Sequence, residues 1–326
     1  GSGTSVAEYA FTFEDEQTRV ELSKADLTDK KELPGASLKV TDEDGNTVDE
    51  WVSKEEAHII KGLIVGKKYK MTETKLADGY VTAESIEFTV ENTKEVQKHQ
   101  MLDDVTKVEI SKKDITDSSE VPGAKLIILD KDGKKVESWT STDKPHMVEK
   151  LPVGEYTLRE EQAPDGYLIA EDVKFTVKDT GKVQKVKMKD AHPYGKLVIK
   201  KTDATSKAAL PGAEFELREK ESGKVVEKLV TDKTGTATSG KLPIAIYKNG
   251  KVEKTVEYIL VETKAPNGYE LSSKKEEIRF EYKDGKTKVI EIVKEIKNTK
   301  SPSGSTPTGN SPKTGDSTNI WLPILL

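Results

Sequence analysis

The chain has 326 residues, 34% of them charged with both signs mixed, 34% hydrophobic and only 6% aromatic, which favours several small cores over one large one. A formal net charge of -5, with lysines scattered among glutamates and aspartates, offers no basic face for nucleic acid. There is no cysteine, which excludes disulfides and thiolate zinc sites.

Residues 1–16 open with "GSGTS", which reads as a cloning remnant rather than a secretory signal. "YAFTFEDEQT" follows, and its Asp15 precedes Lys24 by nine residues, as Asp103 precedes Lys112. Segment 9 to 16 therefore reads as the last strand of an earlier, missing repeat, or else as an ordinary first strand or leader. From there the chain repeats itself. "VELSKADLTDKKELPGASLKV", "VEISKKDITDSSEVPGAKLII" and "LVIKKTDATSKAALPGAEFEL" each read as an alternating strand, a polar turn, a Pro-Gly-Ala corner and a second strand. The corner glycines Gly35, Gly123 and Gly212 are 88 and 89 residues apart, a period suited to small all-β sandwiches. The modules are expected at 17–104, 105–192 and 193–299, the third lengthened by an extra polar loop or hairpin around 239–257.

Within each module, side chains two apart share a strand face. Val20, Leu22 and Lys24, then Val108, Ile110 and Lys112, then Leu197, Ile199 and Lys201 form such faces, each lysine eleven residues before its corner glycine. Later strands end an apolar face on glutamate: Tyr69, Met71 and Glu73; Tyr156, Leu158 and Glu160; Tyr258, Leu260 and Glu262. The last strands end on Asp103, Asp190 and, after looser alternation, Asn298. A buried glutamate needs a partner. An ion pair is one explanation, although desolvation offsets much of what such a pair contributes. The other is chemistry: burial lowers a lysine pKa and raises a carboxyl pKa, so a neutral amine can attack a carbonyl carbon while a glutamic acid moves protons.

The "SKxD…PGA", "YxLxE", "APDGY" and terminal Asp or Asn pattern resembles the collagen-adhesin B-repeat (CnaB) and SpaA-type pilin domains of LPxTG-anchored Gram-positive surface proteins. The resemblance implies three tandem transthyretin-like, reverse-immunoglobulin β-sandwiches with a disordered C-terminal tail. It also implies spontaneous isopeptide bonds, Lys24 to Asp103, Lys112 to Asp190 and Lys201 to Asn298, assisted by Glu73, Glu160 and Glu262. If segment 9 to 16 is the last strand of a missing repeat, its spacing makes Asp15 an orphan acceptor. Module one departs in having Ala77 where the family motif has proline.

Residues 300–326 turn to Pro, Ser, Thr and Gly, an extended linker by composition. "SPKTGD" before "IWLPILL" resembles a sortase sorting signal carried by Pro312, Lys313, Thr314 and Gly315, with Ser311 in place of the usual leucine and the apolar run ending short of a full span. By that resemblance, sortase cleaves between Thr314 and Gly315 and joins Thr314 to peptidoglycan or another pilin.

Other signals carry less. "GLIVGKKY" lacks phosphate-loop spacing and reads as a turn. "DEDGNT" and "DKDGKK" lack the calcium-loop glutamate and read as hairpin turns. His58, His99, His146 and His192 stand alone in sequence, and Trp51 and Trp139 occupy equivalent packing positions. No metal or cofactor is expected. The reading is a non-enzymatic, extracellular, cell-wall-anchored stalk of an adhesin or pilin. The alternatives are direct binding of a host extracellular-matrix or cell-surface ligand through one module, the third with its extra loop being the candidate, or an accessory region of a surface hydrolase.

Overall fold

The computed structural model describes residues 3–302, and among these every regular element is a β-strand. The first repeat is two facing sheets. One carries the lysine strand Arg19–Asp26 between His58–Lys61 and the closing strand Val96–Asp103; the other runs in the order Thr47–Val52, Ser37–Thr41, Lys68–Lys75, Ile86–Thr89. The inward residues Val20, Leu22, Leu38, Val40, Met71, Phe88 and Met101 form its core, one face of each strand being spent on the interlayer as the period of two requires.

The same order recurs. In the second repeat the lysine strand Lys107–Asp114 lies between His146–Glu149 and Val183–Asp190, and the facing sheet runs Lys135–Thr140, Lys125–Asp130, Gly154–Gln162, Val173–Val177. In the third, Tyr194–Asp203 pairs with Val289–Asn298 on one side and with Thr236–Thr238 and Leu242–Pro243 on the other. Its second sheet runs Val225–Val230, Glu214–Glu219, Glu257–Lys264, Lys275–Arg279. The extra sequence of this repeat is a hairpin, Ala245–Lys248 with Lys251–Thr255. Backbone contacts group the chain into two compact units. One holds the chain up to Ile110 with Met147–Tyr156 and Lys174–Val186; the other holds Ser111–His146, Thr157–Val173 and the chain from Lys187 onward.

The Pro-Gly-Ala corners have a common anchor. Gly35, Gly123 and Gly212 have φ of +95°, +90° and +81°, the left-handed region a Pro-Gly turn demands. The following alanine N–H donates to a buried hydroxyl: Ala36 to Ser53 at 2.9 Å, Ala124 to Ser141 at 2.9 Å and Ala213 to Thr231 at 3.0 Å. The Ser141 hydroxyl in turn donates to the Val121 carbonyl at 2.7 Å. Ser141→Ala leaves both groups dry and unpaired, and should cost about 1–3 kcal/mol, read as a lower denaturant midpoint with unchanged slope.

The two sequences that superficially resemble calcium loops are hairpin turns whose acids cap their own backbone. The Asp42 carboxylate accepts from the N–H of Asp44 and Asn46 at 3.0 and 2.9 Å, and Asp130 from Asp132 and Lys134, both at 2.9 Å. Residues 3–18 carry no strand, and Val6, Tyr9, Phe11 and Phe13 along them are exposed.

Candidate functional site

The lysine strand and the closing strand run parallel, and their register places the clustered side chains. Lys24 stands opposite Met101 and Asp26 opposite Asp103; Lys201 stands opposite Ile296 and Asp203 opposite Asn298. The acid or amide is thus two positions further along the neighbouring strand on the same face, an advance of about 6.6 Å that an extended lysine side chain can span. Lys24 Nζ meets Asp103 Oδ1 and Lys112 Nζ meets Asp190 Oδ1 directly. All three lysines are buried, at 1%, 1% and 0% exposure for Lys24, Lys112 and Lys201, as are Asp103, Asp190 and Asn298.

The glutamates reach the same points from the opposite sheet. Lys24 Nζ lies 2.7 Å from Glu73 Oε2, Lys112 Nζ 3.3 Å from Glu160 Oε1, and Lys201 Nζ 3.3 Å from Glu262 Oε1. Each glutamate also accepts a backbone N–H ten residues on: Ala83 to Glu73 at 3.1 Å, Ala170 to Glu160 at 2.7 Å and Ser272 to Glu262 at 2.8 Å. In the third repeat the carboxylate bridges the pair, since the Asn298 side-chain amide donates to Glu262 Oε2 at 3.0 Å and to the Glu270 carbonyl at 2.7 Å. The register with the neighbouring strand slips at the glutamate. Leu38 pairs with Glu73 but Ser37 with Lys75, and Phe215 pairs with Glu262 but Glu214 with Lys264, so Thr74 and Thr263 are bulged out. Bulges of this kind re-aim neighbouring side chains.

Burial dominates the electrostatics. It pushes the Asp103 carboxyl up to about 7 against the pull of Lys24, lowers the Lys112 amine to about 8 against the pull of Glu160, raises Glu160 and lowers Lys201. Burial thus favours the uncharged forms of Asp103, Lys112, Glu160 and Lys201. Several atoms of these groups are dry yet make no hydrogen bond: Lys112 Nζ, Lys201 Nζ, Asp103 Oδ2, both Asp190 carboxylate oxygens and Asn298 Oδ1. The ion-pair approaches of Lys112 Nζ, Lys201 Nζ and Asp190 Oδ1 lack hydrogen-bond geometry. Buried polar groups are rarely left so.

Next to every triad stands a second polar pair that the sequence reading did not assign. Asp26, Asp114 and Asp203, two residues beyond each lysine, accept the hydroxyls of Tyr80, Tyr167 and Tyr269 at 2.9, 2.7 and 2.7 Å. These tyrosines end the Asp-Gly-Tyr and Asn-Gly-Tyr turns. Burial opposes ionisation of Asp114, but hydrogen bonds from Thr116, Tyr167 and His192 outweigh it and bring the carboxyl down to about 2. The recurring Lys-x-Asp spacing was the available signal. Nor do the histidines stand alone in space. His58 stacks on Trp51 at 4.1 Å, His146 on Trp139 at 4.4 Å, and His192 Nε2 lies 2.7 Å from Asp114 Oδ2. Pro312, Lys313, Thr314 and Gly315 lie outside the described residues.

The family model for the SpaA prealbumin-like fold domain matches the chain three times, over residues 18–104, 106–192 and 195–296. Among solved structures the chain is similar to the Bacillus anthracis TIE protein, with 28% identity and a TM-score of 0.58 over 88% of this chain; the match takes in 52% of that protein, so this chain spans about half its length. It shares its fold with BcpA, the major pilin subunit of Bacillus cereus, at 18% identity and a TM-score of 0.50 over 88% of this chain and 100% of that one. No curated protein matches. Three family matches laid end to end over the three sandwiches make the chain a member of the SpaA prealbumin-like fold family.

Proposed function

We propose that the chain is a structural stalk of a cell-wall-anchored Gram-positive surface adhesin or pilin, its three modules each closed by an isopeptide bond that the folded module makes for itself. The observation that carries this reading is the recurrence of a dry Lys, Glu and Asp or Asn cluster at one place in all three sandwiches, with polar atoms that make no hydrogen bond on the groups an amide would consume.

In each module the neutral lysine amine attacks the acceptor's side-chain carbonyl carbon. The glutamate passes a proton to the acceptor oxygen and takes up the one the amine sheds, and the intermediate collapses to an amide. At Asp103 and Asp190 a C–O bond breaks and water leaves. At Asn298 a C–N bond breaks and ammonia leaves. Each site turns over once, so the chain is not an enzyme in the ordinary sense. The bond ties first strand to last, and tension between the termini falls on a covalent link instead of a hydrogen-bond ladder. That suits a cysteine-free chain. Membership of the SpaA family and the pilin identity of BcpA support the surface role. The Pro312–Gly315 motif is the proposed sortase substrate, with Thr314 joined to peptidoglycan or a neighbouring pilin.

Intact mass followed by peptide mapping tests the proposal. The folded chain should lack two waters and one ammonia, and branched peptides should join Lys24 to Asp103, Lys112 to Asp190 and Lys201 to Asn298. An unmodified mass from folded protein would reduce the clusters to buried ion pairs.

A further inference from the structure

The extra hairpin of the third repeat is the part of the molecule that the crosslinking chemistry does not use. Its residues pack on the second repeat. Tyr247 lies flat on the His192 ring, with centroids 3.6 Å apart and planes 7° apart, and meets Tyr167 edge-on at 5.1 Å. Its hydroxyl donates to the Gly166 carbonyl at 2.6 Å. Val121, Ala163 and Tyr167 form a small apolar cluster against which Tyr247 and Ile169 pack.

Two glycines record how closely the surfaces meet. A Cβ on Gly166 would overlap Val252 of the hairpin, and a Cβ on Gly250 at the hairpin tip would run into the Glu120 carbonyl. Both glycines have positive φ, +92° and +70°. Beyond the hairpin, Tyr282 donates its hydroxyl to the Tyr167 carbonyl at 2.8 Å and the Ile169 N–H donates to the Gly285 carbonyl at 2.8 Å.

We infer that the hairpin is a docking arm whose partner is the Asp-Gly-Tyr turn of the preceding repeat, and that it joins the second and third repeats into one stiff segment of the stalk. The docked turn is rooted in the crosslinking strands. Tyr167 and His192 both bond Asp114, which stands two residues after Lys112, and His192 stands two residues after Asp190. Load arriving at the hairpin therefore passes to the two strands that the proposed amide ties together. Repeats joined by a small polar interface ordinarily move relative to each other. Here stacked rings, main-chain hydrogen bonds and close glycine approaches oppose that motion. The arm itself does not depend on the amides, and the third repeat's insertion acquires a role other than capture of a host ligand.

The absence of cysteine allows a direct test on the full chain. Spin labels at Ser138→Cys and Lys228→Cys, both exposed, report the distance between the second and third repeats by pulsed electron resonance. The chain should give one narrow distribution, and adding Tyr247→Ala with His192→Ala should roughly double its width. Val252→Asp, on a partly exposed hairpin residue, should do the same without touching Asp114. Intact mass measured alongside separates loss of docking from loss of crosslinking. A broad distribution before any interface change, or a width unmoved by both variants, would overturn the inference.

Discussion

Replacing Glu160 with alanine should leave the middle repeat without its crosslink and lower its melting temperature by about 20–30 °C. Lys112 and Asp190 are 78 positions apart, so the proposed amide closes nearly the whole module, and loop-closure entropy of that size is worth about 4–5 kcal/mol. The glutamate reaches Lys112 from the facing sheet, at 3.3 Å, and it also holds the Ala170 N–H at 2.7 Å. Removing it strands that N–H as well as stopping proton movement. Glu160→Gln separates these effects, because the amide can still accept from Ala170 but cannot shuttle a proton. Both variants should retain the mass of one water relative to the parent chain, with the glutamine form melting higher than the alanine form. If the Glu160→Ala chain still loses the middle water, the glutamate is a packing residue and the amine and acid react unaided.

The strands that hold the clusters were legible because alternation of period two survives even where a face ends on a charge. Val20, Leu22 and Lys24 share a face whether or not the lysine has a partner. What joins Lys24 to Asp103 is a parallel register with a two-residue offset, which no local pattern encodes. The bulged Thr74 and Thr263 were likewise hidden, since a bulge is a property of two strands and only one is visible at a time. Asp26, Asp114 and Asp203 could have been found. Each shares the lysine's face by the same alternation, and a tyrosine waits at the end of the Gly-Tyr turn in every repeat. The hairpin was expected as extra sequence, but its docking on Tyr167 and His192 depends on the third dimension.

Lys24→Ala should be the most damaging single change in the first repeat, and acid should relieve it. The substitution removes the crosslink and leaves Glu73 and Asp103 together in the interlayer with no cation between them. Stranding a buried charge costs about 3–5 kcal/mol, beyond the loop-closure loss of about 4–5 kcal/mol, and the sum approaches the whole stability of a small domain. Burial holds the Asp103 carboxyl up at about 7 even beside Lys24, against an ordinary value of 3.8. Without the amine nothing draws it back down. A carboxyl whose folded pKa lies above its unfolded one binds more protons in the folded state between the two values. Stability of the variant therefore rises as the pH falls from about 7 toward about 4, where most proteins lose it. The proposed amide of the parent has no proton to exchange there, so the parent should lack this trend. Calorimetry of the first repeat's transition at about pH 7 and about pH 4.5, in parent and variant chains, reads the difference. A variant transition that falls on acidification would mean that the two carboxyls are hydrated, and that the interlayer around Asp103 is not dry enough to hold the acid form the crosslink needs.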